Sequence, residues 1–256
     1  MSNQRLLEVV EDLERTILET IREHRVTHDE YRQATDLLIA SIMEGEGSLL
    51  LDVLFEAEAT DVGNVGATGS PAAIEGPFYI PGAPHVGRPS VMPQRRDERG
   101  EPLVFRGTVS TTDGARLADA ELDLWHADAD GLYSQIHPGI PDWNLRGCVL
   151  TGEDGSFEVR TILPPPYEIP KTGPTGRLLS GLGRHFFRPA HLHVKVRSPG
   201  YIELTSQLYF AGGEYLDNDV ANAVRDGLVL TLERDENAWQ ASYDFVLEPV
   251  RHTVHA

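Results

Sequence analysis

The chain has 256 residues, 40% hydrophobic and 24% charged, the proportions of a soluble globular protein, which excludes wholesale disorder. Lys and Arg number 22 against 40 Asp and Glu, and the resulting net charge of −18 repels phosphate backbones and acidic membranes, disfavouring nucleic-acid binding and membrane insertion. The single cysteine, Cys148, excludes an internal disulfide framework, no apolar run approaches the roughly 18 residues of a membrane helix, and the N-terminus lacks a signal-peptide core, so a cytoplasmic protein is expected.

Leu6, Val10, Leu13, Ile17 and Ile21 recur at three- and four-residue spacing and predict an amphipathic first helix. Thr27 with Glu30 is a capping-box pattern, predicting a second helix through Tyr31, Ala34, Leu37, Leu38 and Ile42 that stops near Gly45 to Gly47. A third segment follows from Leu49 to Ala59, after which Gly63, Gly66, Gly69 and Pro71 break the pattern. From about residue 100 the texture becomes short alternating runs with turn signals: Leu103 to Val109, Glu121 to Trp125, Phe157 to Thr161 after Asp154-Gly155, Val194 and Val196, Leu204 to Phe210, and Tyr243 to Leu247. The expectation is therefore an α+β chain: a helical region over residues 1–70, then a mainly antiparallel β-sandwich of the Greek-key kind over 71–256. Tyr79 to Glu101 and Pro164 to Arg188 read as long loops, which in compact domains are usually functional.

His191 and His193, separated by Leu192, project from one face of a strand because the side-chain period there is two, so both imidazoles can reach one metal. The same spacing describes the wet face of any antiparallel strand, so the pair alone leaves ligation open. Tyr133 lies in the turn Asp130 to Ser134 and Tyr167 in the proline-bounded Pro164 to Pro170; each is by itself as well explained as a half-buried hydrogen-bonding aromatic. A trivalent metal changes that balance, since it stabilises phenolate oxygen as a hard anionic donor. Cys148, in Leu145 to Leu150, reads as a small buried apolar residue rather than a nucleophile. A zinc hydrolase built on the His pair lacks a carboxylate at a suitable spacing, and a non-catalytic Greek-key binding module would leave the pair as strand surface.

Several motifs then occur in order. Ile74-Glu-Gly-Pro-Phe-Tyr-Ile80, Leu124-Trp-His-Ala127 with Gly131-Leu-Tyr-Ser134, Pro166-Tyr-Glu-Ile-Pro-Lys-Thr-Gly-Pro-Thr-Gly176, and Gly183-Arg-His185 with Arg188-Pro-Ala-His-Leu-His193 together resemble the intradiol ring-cleaving dioxygenases, most of all the catechol and chlorocatechol 1,2-dioxygenases. The resemblance runs through nearly the whole chain, helical part included. It implies one Fe(3+) per subunit held by Tyr133, Tyr167, His191 and His193, with Tyr167 the ligand that leaves and serves as a base. It implies that Arg188 faces the substrate and stabilises negative charge as oxygen attacks, and that Gln207 lies beside the site. It places Leu49, Asp52, Val53, Ile74, Gly76, Pro77 and Phe78, with Arg188, around the substrate. The implied reaction inserts both atoms of O2 into catechol or a chlorinated or alkylated catechol, giving a cis,cis-muconate; the alternative is hydroxyquinol, giving maleylacetate. It further implies a homodimer through the N-terminal helices, with a phospholipid as a possible guest.

Overall fold

The computed structural model describes residues 3–250 and divides into two compact units, one up to Gly47 and one from Ser48 onward. The first unit holds α1 (Asn3–Glu23) and α2 (His28–Met43). On α1 the predicted stripe lies on the surface: Leu6, Val10, Leu13 and Ile17 are all more than half exposed, at 54%, 52%, 57% and 58%. Helix α2 starts at the expected capping box, where the Thr27 hydroxyl accepts from Glu30 N–H at 3.3 Å and the Glu30 carboxylate accepts from Thr27 N–H at 2.7 Å. It ends before Gly45, whose φ of +79° suits a residue without a Cβ.

The predicted third helix is one helical path with an irregular centre. It comprises α3 (Gly47–Leu51), a π-helical turn (Asp52–Glu56) and α4 (Ala57–Asn64). Hydrophobic spacing carries no mark of the extra residue per turn that a π segment contains.

The second unit is built on strands β1 (Ser90–Val91), β2 (Pro102–Thr111), β3 (Glu121–Trp125), β4 (Arg146–Leu150), β5 (Ser156–Ile162), β6 (Tyr167–Glu168), β7 (Phe187–Arg188), β8 (His191–Arg197), β9 (Leu204–Phe210), β10 (Val229–Leu230), β11 (Glu233–Arg234), β12 (Trp239–Ser242) and β13 (Phe245–Leu247). Among the described residues, β10-β9-β8-β3-β4 make a five-stranded sheet, β1-β5-β2-β12-β11 with β13 on β2 make a six-stranded one, and β6 pairs with β7 alone. Both large sheets are mixed, where mainly antiparallel ones were expected. β1 runs parallel to β5, β10 to β9, and β12 and β13 to β2. Alternating burial reports which face of a strand is covered, not the direction of its neighbour, and parallel neighbours arrive over long connections that resemble loops. The expected loop between Pro164 and Arg188 also contains a short helix, α5 (Pro174–Gly181), with Pro174 at its start, where a proline removes no needed hydrogen bond.

Side chains from both large sheets share one core: Leu103, Phe105, Val109, Phe157, Val159 and Phe245 from one, and Leu122, Leu124, Leu192, Val194, Val196 and Leu208 from the other. Strand β8 is buried on both faces. Its even-numbered residues enter this core, and the odd-numbered His191, His193, Lys195 and Arg197 therefore point to the opposite face. Register carries that face across the sheet: Trp125 lies opposite Arg146 and His193, His193 opposite Gln207, and His191 opposite Tyr209. Among the described residues no helix is long and apolar enough to cross a membrane.

Candidate active site

The outer face of β8 brings the His pair together as the alternation required. The two Nε2 atoms stand 3.0 Å apart, and the Tyr133 hydroxyl is 3.3 Å from His193 Nε2. His191 Nδ1 donates to the Pro189 carbonyl at 2.7 Å, which leaves Nε2 as the nitrogen with the free lone pair. Trp125 stacks on the His193 ring, with centroids 4.6 Å apart and planes 11° from parallel, and so fixes its tilt. Burial together with the nearby Arg188 charge lowers the His191 imidazole to about 3, and burial with His191 lowers His193 well below its usual value, so both rings are neutral.

Tyr133 and Tyr167 reach the same place from two loops. The Tyr133 loop is closed by the Asp128 carboxylate, which accepts from Asp130 and Leu132 N–H at 2.9 and 3.0 Å, and by Arg146, which donates to Ser134. Tyr167 lies on the β6–β7 ribbon directly opposite Arg188. The tyrosine rings meet edge to face at 5.3 Å, and Phe78 packs on Tyr133 at 4.8 Å. Gly131, at φ +79°, sits between the loops: a Cβ there would lie 2.9 Å from Tyr167 Cβ. Burial raises both phenols, Tyr133 well above 10 with Tyr167 adding to the effect, while Arg188 partly offsets the rise on Tyr167.

Arg188 is almost wholly buried and fully engaged. Its Nε and Nη2 donate to the two Asp219 oxygens at 3.1 and 3.0 Å, and Nη2 also donates to Gln207 Oε1 at 2.8 Å and Tyr209 Oη at 3.1 Å. Nη1 points at the bare His191 Nε2 from 3.4 Å. Gln207 is held by its neighbours in turn: Oε1 accepts from Tyr209 at 2.7 Å, and Nε2 donates to the Ile74 carbonyl at 2.9 Å and lies 3.3 Å from His193 Nδ1.

A narrow cavity of about 20 Å3 opens onto these groups, lined by Tyr167, Arg188 and His193 together with all seven expected wall residues, Leu49, Asp52, Val53, Ile74, Gly76, Pro77 and Phe78. Ile169 and Ala221 complete it and were not expected. Asp219, Tyr209 and Trp125 also went unrecognised in the sequence. Tyr209 carried a signal, since it lies two residues from Gln207 on one strand face; Trp125 required the register with His193, and Asp219 had no sequence signal. Cys148 is buried in β4, and burial with the neighbouring Asp123 and Glu121 raises its thiol to about 12, as suits a packing residue.

The donor set fits a bound cation. Two neutral imidazole nitrogens about 3.0 Å apart match two ligands each about 2.1 Å from one ion, with two phenols beside them. Among the described residues no group of three or more His, Cys, Asp or Glu side chains is arranged to hold a metal ion.

Residues 3–66 match the family of catechol dioxygenase N-termini and residues 74–249 the dioxygenase family. The chlorocatechol 1,2-dioxygenase of Rhodococcus opacus is 40% identical over 97% of this chain and 99% of its own, and that of Pseudomonas sp. strain P51 is 39% identical over 98% and 100%. The crystal structure of 3-chlorocatechol 1,2-dioxygenase from Rhodococcus opacus 1CP superposes with a TM-score of 0.93 at 45% identity, covering 97% of this chain and 100% of the other. Helices followed by mixed sheets are shared with that structure. Extent and identity together make this chain a member of the intradiol ring-cleavage dioxygenases.

Proposed function

We propose that this dioxygenase opens the ring of catechol or of chlorinated or alkylated catechols between the two hydroxyl-bearing carbons, giving cis,cis-muconates. What supports this is the convergence in one cavity of Tyr167, Arg188 and His193 with a mostly apolar slot. Tyr133, Tyr167, His191 and His193 are the proposed ligands of one ferric ion per subunit. When bound, that ion supplies a Lewis-acidic centre that accepts electron density from the chelated diol and makes the ring reactive toward O2.

The side chains do the rest. His191 and His193 present neutral nitrogens in fixed orientation because Pro189 and Trp125 leave them no other pose. With the ion bound, Tyr167 would be held as the phenolate whose Oη takes a proton from the arriving diol; burial disfavours the charged oxygen and so strengthens it as a base. Arg188, charged and locked by Asp219, Gln207 and Tyr209, faces the cavity and stabilises negative charge as the ring is oxidised. Leu49, Val53, Ile74, Phe78 and Ile169 exclude water from the ring.

The proposal extends to assembly and location. A helical dimerisation region within residues 1–70 precedes a catalytic Greek-key domain over 71–256, and the enzyme is cytoplasmic. The exposed stripe Leu6, Val10, Leu13 and Ile17 supports a homodimer, with a phospholipid as a candidate guest on that apolar face. Sedimentation at twice the 28.3 kDa subunit mass is expected; a clean monomer would remove the dimer from the proposal.

The test is steady-state turnover on catechol, 3- and 4-chlorocatechol, methylcatechols and hydroxyquinol, following muconate absorbance. Purified enzyme should be wine-red from tyrosinate-to-iron charge transfer. Extradiol products, or a colourless protein with stoichiometric zinc, would overturn it.

A further inference from the structure

We propose that Glu56 is a specificity-determining positioning residue: its carboxylate ties the two walls of the cavity together and so sets the width of the slot over the substrate ring. The inference rests on the cavity being the catechol site.

Leu49, Asp52, Val53 and Glu56 lie at i, i+3, i+4 and i+7 of the helical path that contains the π turn. The first three line the cavity, and Glu56 continues their stripe toward the facing wall. There its Oε1 accepts from Glu75 N–H at 2.8 Å and its Oε2 from Gly76 N–H at 3.3 Å, one oxygen for each of two consecutive peptides. Turns of π-helix occur frequently at functional sites, and this one spans Asp52 to Glu56.

The clamped segment is in direct contact with the site. Gly76 takes φ +71° and lines the same cavity as His193, where a Cβ on it would come 3.9 Å from His193 Cε1. The segment's other tethers lead elsewhere: Ile74 O to Gln207 at 2.9 Å, and the Glu75 carboxylate to Lys195 Nζ at 2.5 Å, both on the sheet. These two hold the loop to the His-bearing strands. On the helix side the loop is held by the apolar packing of Leu49 and Val53 with Phe78 and of Ala57 with Ile74, and by the paired hydrogen bonds of Glu56, the directional part of that contact, so removing them loosens the wall-to-wall distance while the sheet side stays fixed.

The experiment uses iron-loaded enzyme, wild type beside Glu56→Gln and Glu56→Ala. The Gln variant keeps one acceptor oxygen and guards against a misfolded Ala variant. In both, amide hydrogen exchange at residues 74–78 should accelerate. The ratio of kcat/KM for chlorinated over unsubstituted catechol should shift by about tenfold in Ala and less in Gln, through KM, because small groups in such slots discriminate on that scale. Catechol kcat should stay within about threefold and the visible band unchanged. Unaltered exchange would overturn the clamp, and accelerated exchange with an unaltered ratio would overturn its role in selectivity. A collapse of kcat with loss of the band would make Glu56 part of the metal's support instead. A wild-type enzyme inactive on every catechol would fell the underlying site reading, while the exchange result would still report on the clamp.

Discussion

One strand face carries two chemistries. At one end of β8, His191 and His193 are neutral, stacked among aromatic rings, and turn their Nε2 atoms toward each other across 3.0 Å. Two positions further along the same face, Lys195 meets Glu75 at 2.5 Å and Glu203 at 3.0 Å, and Arg197 meets Glu121 at 2.8 Å, Glu203 at 2.6 Å and the Tyr79 hydroxyl at 2.9 Å. At the second end the donors have acceptors and burial is compensated by charge. At the first, neutral groups meet: the two Nε2 atoms face each other and the Tyr133 hydroxyl lies 3.3 Å from His193 Nε2, with Arg188 Nη1 at 3.4 Å from His191 Nε2. The proposed ligands thus sit where uncharged rings meet, and the neighbouring ionic end anchors the strand that holds them.

Substitutions sharpen this contrast in order of expected effect. His193→Ala should remove most bound iron and the visible band, leaving turnover undetectable; retention of stoichiometric iron would deny the His end its ligand role. Arg188→Gln should keep the iron and lower kcat by about 10²- to 10³-fold, the scale of losing one preorganised charge-stabilising donor, as read by steady-state kinetics beside metal analysis. Asp219→Asn should cost about 10- to 100-fold, since it acts only by orienting Arg188.

The same pair has a pH signature. Burial alone would raise the Asp219 carboxyl, but Arg188 and the Ala223 and Ala221 N–H groups outweigh it and hold it below the usual carboxylate range. A folded value below the unfolded one means the contribution is fully present above about pH 4 and is lost as pH falls through the lowered value. Urea denaturation at pH 6 and pH 3.5 should show a smaller acid loss in Asp219→Asn than in wild type. At the ionic end, Arg197→Met should lower stability by about 1 kcal/mol, since its partners are partly solvated, and leave catechol turnover within about twofold. A large kinetic defect there would erase the distinction between the ends.

The His end was legible because a period of two needs no tertiary information, and the Tyr133 and Tyr167 motifs carry glycine and proline signals whose chemistry is local. The seven wall residues came through the resemblance, and they do line the cavity. Asp219 was invisible: it reaches Arg188 from 31 positions away in a segment without periodicity. The π turn was hidden for a related reason, since Leu49, Asp52, Val53 and Glu56 keep an ordinary helical stripe while the backbone winds more loosely. The parallel partners β10, β12 and β13 have alternation indistinguishable from that of hairpin strands, so the direction of their pairing lay outside what the pattern encodes.

Gly131 links the two tyrosine loops by the space it does not fill. Since any side chain there would press on the Tyr167 Cβ, the two loops are sterically coupled despite the β-strands that separate them in the chain. A replacement made in either loop therefore acts on both tyrosines: even Gly131→Ala, remote from Tyr167 in the chain, would push that ring from its place.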